Sequence, residues 1–227
     1  MTQVDATATQ DGAVDVAAIQ KRTIRTLLSS QVAGGMGLVS GYTVTSLLAN
    51  DLTGSKTLAG LSAACLSIGA SIGSFPLARY MARSGRRPGL RTGYLVAALG
   101  SLSAVLAAIT GFFPLLPLGV AGIGVGNATN MATRYAASDL AEPERRAKTI
   151  GLIVQATTLG SGIGSLVSLS VFDPVGRRLD LPDYGGSYLV GALLFLVAAA
   201  IVAVRLRPDP LVVAGGVGVG KDETRLP

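Results

Sequence analysis

The chain has 227 residues, of which 14% are charged, where a globular protein carries roughly 25%. The formal charge is +6, but the basic residues lie scattered between long uncharged stretches, which argues against nucleic acid as a partner. Histidine is absent and cysteine occurs once, so Ser-His catalysis, imidazole-ligated haem, the common zinc sites and an internal disulfide are excluded, and no metal or cofactor is expected.

In chain order, residues 1–22 read as a disordered acidic tail, with Asp5, Asp11 and Asp15 and no basic residue before Lys21. Five stretches then carry no charge at all: 26–50, 57–78, 92–133, 149–172 and 184–204. About 20 apolar residues in a helix cross a hydrocarbon layer of roughly 30 Å, and each stretch is long enough. The third is of double length and is divided by the turn cluster Gly111, Phe112, Phe113, Pro114 and Pro117. The fold class is therefore all-α: a polytopic bundle in a lipid bilayer over residues 23–204. Its six spans lie at about 25–48, 58–80, 92–111, 115–134, 149–172 and 184–204, followed by a tail at 205–227.

In the first span Gln31, Gly35, Leu38, Tyr42 and Thr45 share one helical face. The second is rich in Gly, Ala and Ser, residues that let helix backbones approach closely in lipid, and contains Pro76 and the lone Cys65. The fourth carries Gly122, Gly124 and Gly126, then Asn127 and Asn130 one turn before Arg134. Two amides there need partners from a neighbouring helix or from a ligand. The fifth, entered at Pro143, places Gly151, Gln155, Thr158 and Gly162 on one side and Gly160 and Gly164 on another. Gln31, Tyr42, Asn127, Asn130 and Gln155 are thus candidates to line a substrate cavity, and Gly122, Gly126, Gly160 and Gly164 candidates for helix packing.

Two short correspondences suggest that the second three spans repeat the first three. Gly85-Arg86-Arg87 matches Gly176-Arg177-Arg178, and Tyr94-Leu-Val-Ala-Ala-Leu99 matches Tyr188-Leu-Val-Gly-Ala-Leu193. Three spans per unit invert the second copy, which predicts a 3+3 inverted repeat. Sixteen of the 19 Lys and Arg fall on the side that holds both termini, and only Lys56, Arg177 and Arg178 on the other. Both termini are therefore expected in the cytoplasm. The excess of Arg over Lys points to a bacterial host and hence to its inner membrane.

The segment Ala78-Arg79-Tyr80-Met81-Ala82-Arg83-Ser84-Gly85-Arg86-Arg87 resembles the loop signature of the major facilitator superfamily. That signature runs Gly, three residues, Asp, a basic residue, any residue, Gly and two basic residues; Ala78 and Ala82 depart from it. The segment from Arg134 through Asp139 and Glu142 to Pro143 is similar to the same superfamily. The resemblance implies a transporter, not an enzyme, in which Arg83 and Arg86 latch the cytoplasmic side, Gly85 makes the tight turn, and Arg87 latches or meets a phospholipid. Gly151, Gly160 and Gly164 also resemble a fifth-span motif of drug/proton antiporters, but Ser165 stands where that motif has proline. No acid lies within a span, so no proton coupling is assigned. Family members have twelve spans, and the resemblance covers their first half, from about Thr23 to Arg207. The chain is accordingly expected to move a small organic solute, its identity open, as a homodimer or with a separate C-terminal half. The competing expectation is a truncated or accessory subunit that transports nothing.

Overall fold

The computed structural model describes residues 16–139, 141, 143–213 and 215. Among these there is no strand. The helices are α1 (Val16–Thr53), α2 (Lys56–Ser84), α3 (Arg86–Thr110), α4 (Leu115–Ser138), α5 (Arg146–Val167), α6 (Asp173–Arg177), α7 (Gly185–Arg205) and α8 (Pro210–Val213). A 3-10 turn at Pro143–Arg145 leads into α5, and a π-helical turn at Ser168–Phe172 carries it without interruption into α6. Helix α1 begins inside the stretch expected as a tail. Residues 1–15 of that tail lie outside the described residues.

Five of the long segments are apolar enough to span a bilayer: α1, α2, α3, the run from Pro143 through α6, and α7. Helix α4 is not, because Asn127, Asn130 and four glycines dilute its aliphatic content. It nevertheless joins two spans, through the turn at residues 111–114 and the 3-10 turn at Pro143–Arg145, and packs along α2 and α3, so it returns across the same layer as the sixth crossing. The turns are made by residues suited to them. Ser55 caps α2 by accepting the Leu58 N–H at 3.4 Å. Gly111 closes α3 in the left-handed region at φ 69°.

The helix pairings obey an exchange rule. Helix α1 packs on α5 and α7, as α4 packs on α2 and α3, while α1 meets α4 and α3 meets α7 across the middle. Swapping the first three crossings for the second three leaves this pattern unchanged, as an inverted repeat requires. Glycines set the close approaches at matching places. A Cβ on Gly69 would run into the Ala121 carbonyl, and one on Gly124 into that of Leu66, so α2 and α4 touch backbone to backbone. A Cβ on Gly160 would strike Val32, and one on Gly164 would lie 2.8 Å from the Met36 carbonyl, so α5 and α1 do likewise. Gly69, Gly73 and Gly85 are spaced as Gly160, Gly164 and Gly176 are. Tyr94 and Tyr188, the paired tyrosines of the repeat, are both fully buried.

Gly69→Val and Gly160→Val should therefore each lower the thermal midpoint of the detergent-solubilised protein, by an overpacking cost of about 1–3 kcal/mol. Gly60→Val should leave it unchanged, because nothing lies within 4 Å of a Cβ there. Equal midpoints for all three would refute the pairing.

Candidate functional site

The sequence candidates divide into two environments. Gln31 and Asn130 are buried between α1, α3, α4 and α5. Gln31 Nε2 donates to Thr157 Oγ1 at 2.7 Å and to the Asn130 carbonyl at 3.1 Å. The Tyr94 hydroxyl donates to Asn130 Oδ1 at 3.0 Å, with Gln31 Oε1 also within 3.4 Å. This four-residue network exists because Gly34 has no side chain: a Cβ would sit 2.7 Å from Asn130 Oδ1 and 2.9 Å from the Tyr94 ring. One donor, Asn130 Nδ2, has no partner among the described residues, and Arg134 Nε one turn further on is in the same condition. The network ties α1 to α4 at the centre of the bundle; it does not face outward.

Tyr42, Asn127 and Gln155 are accessible: Tyr42 is 44% exposed, Gln155 is exposed, and Asn127 is half-buried. Asn127 lines a groove of about 460 Å³ between α2 and α4, with Ser67, Ser71, Ser74, Met131 and Tyr135. The packing candidates all sit at close approaches. A Cβ on Gly122 would lie 2.9 Å from the Gly100 Cα and one on Gly126 2.6 Å from the Ala97 Cβ, and Gly160 and Gly164 face α1 as described.

The groove opens onto a wider surface. Along α2 the exposed residues fall into two stripes: Gly60, Ala64, Ser67, Ser71, Ser74 and Ala78 on one, and Leu61, Ile68, Ile72 and Phe75 on the other. Helix α5 repeats this, with Gln155, Thr158, Gly162 and Ser165 on one stripe and Leu152, Leu159, Ile163 and Leu166 on the other. The large apolar stripes suit lipid. The small stripes do not fill any space inside the bundle, since a Cβ at Gly60 or Gly162 would meet nothing within 4 Å.

The four latch-loop candidates meet at one end of the bundle. Gly85 closes α2 and begins α3 at φ 98°, a region that favours glycine. Having no side chain, it cannot cap α3, and Asp209 does so from beyond α7. Its carboxylate accepts the N–H groups of Arg86 at 3.1 Å and Arg87 at 2.7 Å. The Arg86 guanidinium pairs with Asp139 at the end of α4 through two bonds of 2.8 and 3.2 Å. Arg87 donates twice to the Ala203 carbonyl in the last turn of α7, at 2.9 and 2.7 Å. Arg83 is exposed and pairs with no described residue. On the opposite side, Arg177 answers Arg86 with weaker contacts to Asp173 and Asp183, at 3.5 and 3.4 Å.

Sequence reasoning missed Tyr94 and Thr157 as parts of the polar network and Asp209 as the cap. Only Asp209 had a usable signal, since a helix starting after Gly85 needs its cap from elsewhere.

Taken together, a helical membrane bundle with an internal inverted repeat, a polar centre and a basic clasp at one end defines a secondary-transporter type of architecture. The model of the Major Facilitator Superfamily matches residues 27–222, and the chain belongs to that family, which is one of transporters and not of enzymes. It is an integral membrane protein. It is 33% identical to the uncharacterized MFS-type transporter YddS of Bacillus subtilis (strain 168) over 86% of this chain and 45% of the relative. It is 34% identical to YdeG of the same organism, described in the same words, over 90% of this chain and 47% of the relative. The riboflavin transporter RfnT of Brucella anthropi matches at 25% identity over 84% of this chain and 48% of its own length. A crystal structure of an auto-inhibited POT family peptide transporter shares the fold, with a TM-score of 0.57 and 14% identity over 83% of this chain and 38% of that one. The chain thus spans about half the length of the curated relatives it matches.

Asn130→Leu should destabilise the bundle by about 1–2 kcal/mol, since it strips the buried Tyr94 hydroxyl of its nearer acceptor and leaves it only the longer contact to Gln31 Oε1. Asn127→Leu should leave the melting temperature where it is. Equal melting temperatures for both variants would mean that the network contributes nothing.

Proposed function

We propose that the chain forms one six-helix half of a membrane transporter for a small organic solute. The solute passes along the open face beside α1 and α4, and α2 and α5 flank it. The observation that carries this reading is the pair of small-residue stripes on α2 and α5, which fit the close approach of further helices and not a lipid surface. A second copy of the chain, or a separate six-helix half, would complete the path. Asn127 with Ser67, Ser71 and Ser74 in the groove, and Tyr42 and Gln155 on the exposed faces, would supply hydrogen bonds to the solute. The uncharged stretches offer no ionic partner at mid-depth, which favours a solute held by neutral hydrogen bonds and apolar contact. Riboflavin, the solute in RfnT's name, is of that kind and is the first to assay.

The charge asymmetry of the loops supports cytoplasmic termini, and the family relatives in Bacillus and Brucella support a bacterial inner membrane. On the family resemblance, the Arg86–Asp139 pair, with Arg83 beside it, latches the cytoplasmic side, and Ala82 in place of the usual acid weakens that latch. An accessory subunit without transport of its own would use the same small-residue faces.

Ser71→Trp and Gly162→Trp should abolish solute accumulation or efflux in cells expressing the chain, without lowering its membrane level or melting temperature. Ile72→Trp, on the lipid stripe, should change neither. Full transport in both small-face variants would overturn the proposed interface, and no transport by the unaltered chain, with or without a second half, would favour the accessory subunit.

A further inference from the structure

We propose that the cleft between the start of α1 and the end of α7 binds a phosphate-bearing anion. The cleft has a volume of about 410 Å³, and four of its seven lining residues, Lys21, Arg22, Arg25 and Arg205, are cations, with Thr26 and Ser29 beside them. None of the seven is an acid. Lys21, Arg22, Arg25 and Arg205 are exposed, and none makes an ion pair with a described residue. That sets them apart from Arg86 and Arg177, which both find carboxylates. Lys21 and Arg25 are four apart on α1 and Arg22 and Arg25 three apart, spacings at which like charges repel. An anion between them removes the repulsion.

The hydroxyls of Thr26 and Ser29 donate to the Arg22 and Arg25 carbonyls at 2.9 and 3.0 Å, so the anion is held by the four cationic heads. Guanidinium groups bind phosphate through paired N–H donors, which makes a phosphate ester a better match than a halide. The volume exceeds what a single inorganic phosphate fills and suits a phosphate with a small organic substituent. Depth in the membrane agrees. Arg25 immediately precedes the uncharged stretch 26–50 and Arg205 immediately follows 184–204, so both heads lie at the hydrocarbon boundary, the level of phospholipid phosphates. This inference depends on the chain lying in a bilayer and not on its transporting anything.

Two sources offer this chemistry, a phospholipid headgroup and a soluble phosphate ester, and one experiment separates them. The purified chain, in detergent with phosphatidylcholine, is titrated with phosphatidylglycerol and, separately, with glycerol phosphate, and bound species are counted by native mass spectrometry. Retention of phosphatidylglycerol over phosphatidylcholine, about 30-fold weaker in Arg25→Gln/Arg205→Gln, assigns the site to lipid. Retention of glycerol phosphate, with the same loss in that variant and no phosphatidylglycerol preference, assigns it to a soluble ester. Arg25→Lys/Arg205→Lys keeps the charge and should retain most of the binding, and Arg79→Gln, outside the cleft, should retain all of it. Should the Gln pair fail to fold, the Lys pair and the unaltered chain's lipid preference decide. Equal retention of the two lipids with no glycerol phosphate bound, or binding undiminished in a folded Gln pair, overturns the proposal.

Discussion

Helices in a bilayer gain little by hiding apolar surface from one another, because lipid is as apolar as they are, so what holds this bundle together is the distance to which its backbones can close. That distance is set at a handful of glycines. Gly69 and Gly124 bring α2 onto α4, and Gly160 and Gly164 bring α5 onto α1. Gly34 then admits the Tyr94 ring and the Asn130 amide against α1, so the central polar network follows from the same closeness. Remove the close approach and Gln31, Tyr94 and Asn130 would stand unpaired at the middle of the bundle, each at the cost of a buried polar group.

The same rule read outward explains the unfinished side. Gly60 and Gly162 approach nothing, though they lie on the same helices as Gly69 and Gly160, which touch backbone. Beside them run Ile72 and Phe75 on one helix and Leu166 on the other, exposed at 72%, 71% and 80% as lipid contacts would be. On the proposed function, small faces next to large ones on both α2 and α5 divide the surface that meets protein from the surface that meets lipid. The clasp at the Gly85 turn serves a different end: through Asp139, Ala203 and Asp209 it ties the start of α3 to the end of α4, to the last turn of α7 and to the segment beyond it.

Much of this was legible in the residues. Uncharged stretches bounded by charged residues locate the crossings, because the cost of burying charge in hydrocarbon leaves little choice. Even α4 was readable that way, although two asparagines and four glycines stand among its aliphatic residues. The repeat showed in Gly85-Arg86-Arg87 and in the two buried tyrosines. What one sequence could not separate was Asn127 from Asn130. They are three residues apart on one helix, and which of them turns inward depends on where α1 and α3 lie, a matter of tertiary packing. Asp209 was hidden for a like reason: it acts on a turn more than a hundred residues away in sequence.

The mass of the assembly extracted gently from its membrane tests the central claim most directly, that the small faces of α2 and α5 are completed by further helices. The account predicts a particle of two six-helix units, either two copies of the 22.9 kDa chain or one copy with a separate half. A monodisperse 22.9 kDa monomer that still transports would contradict it.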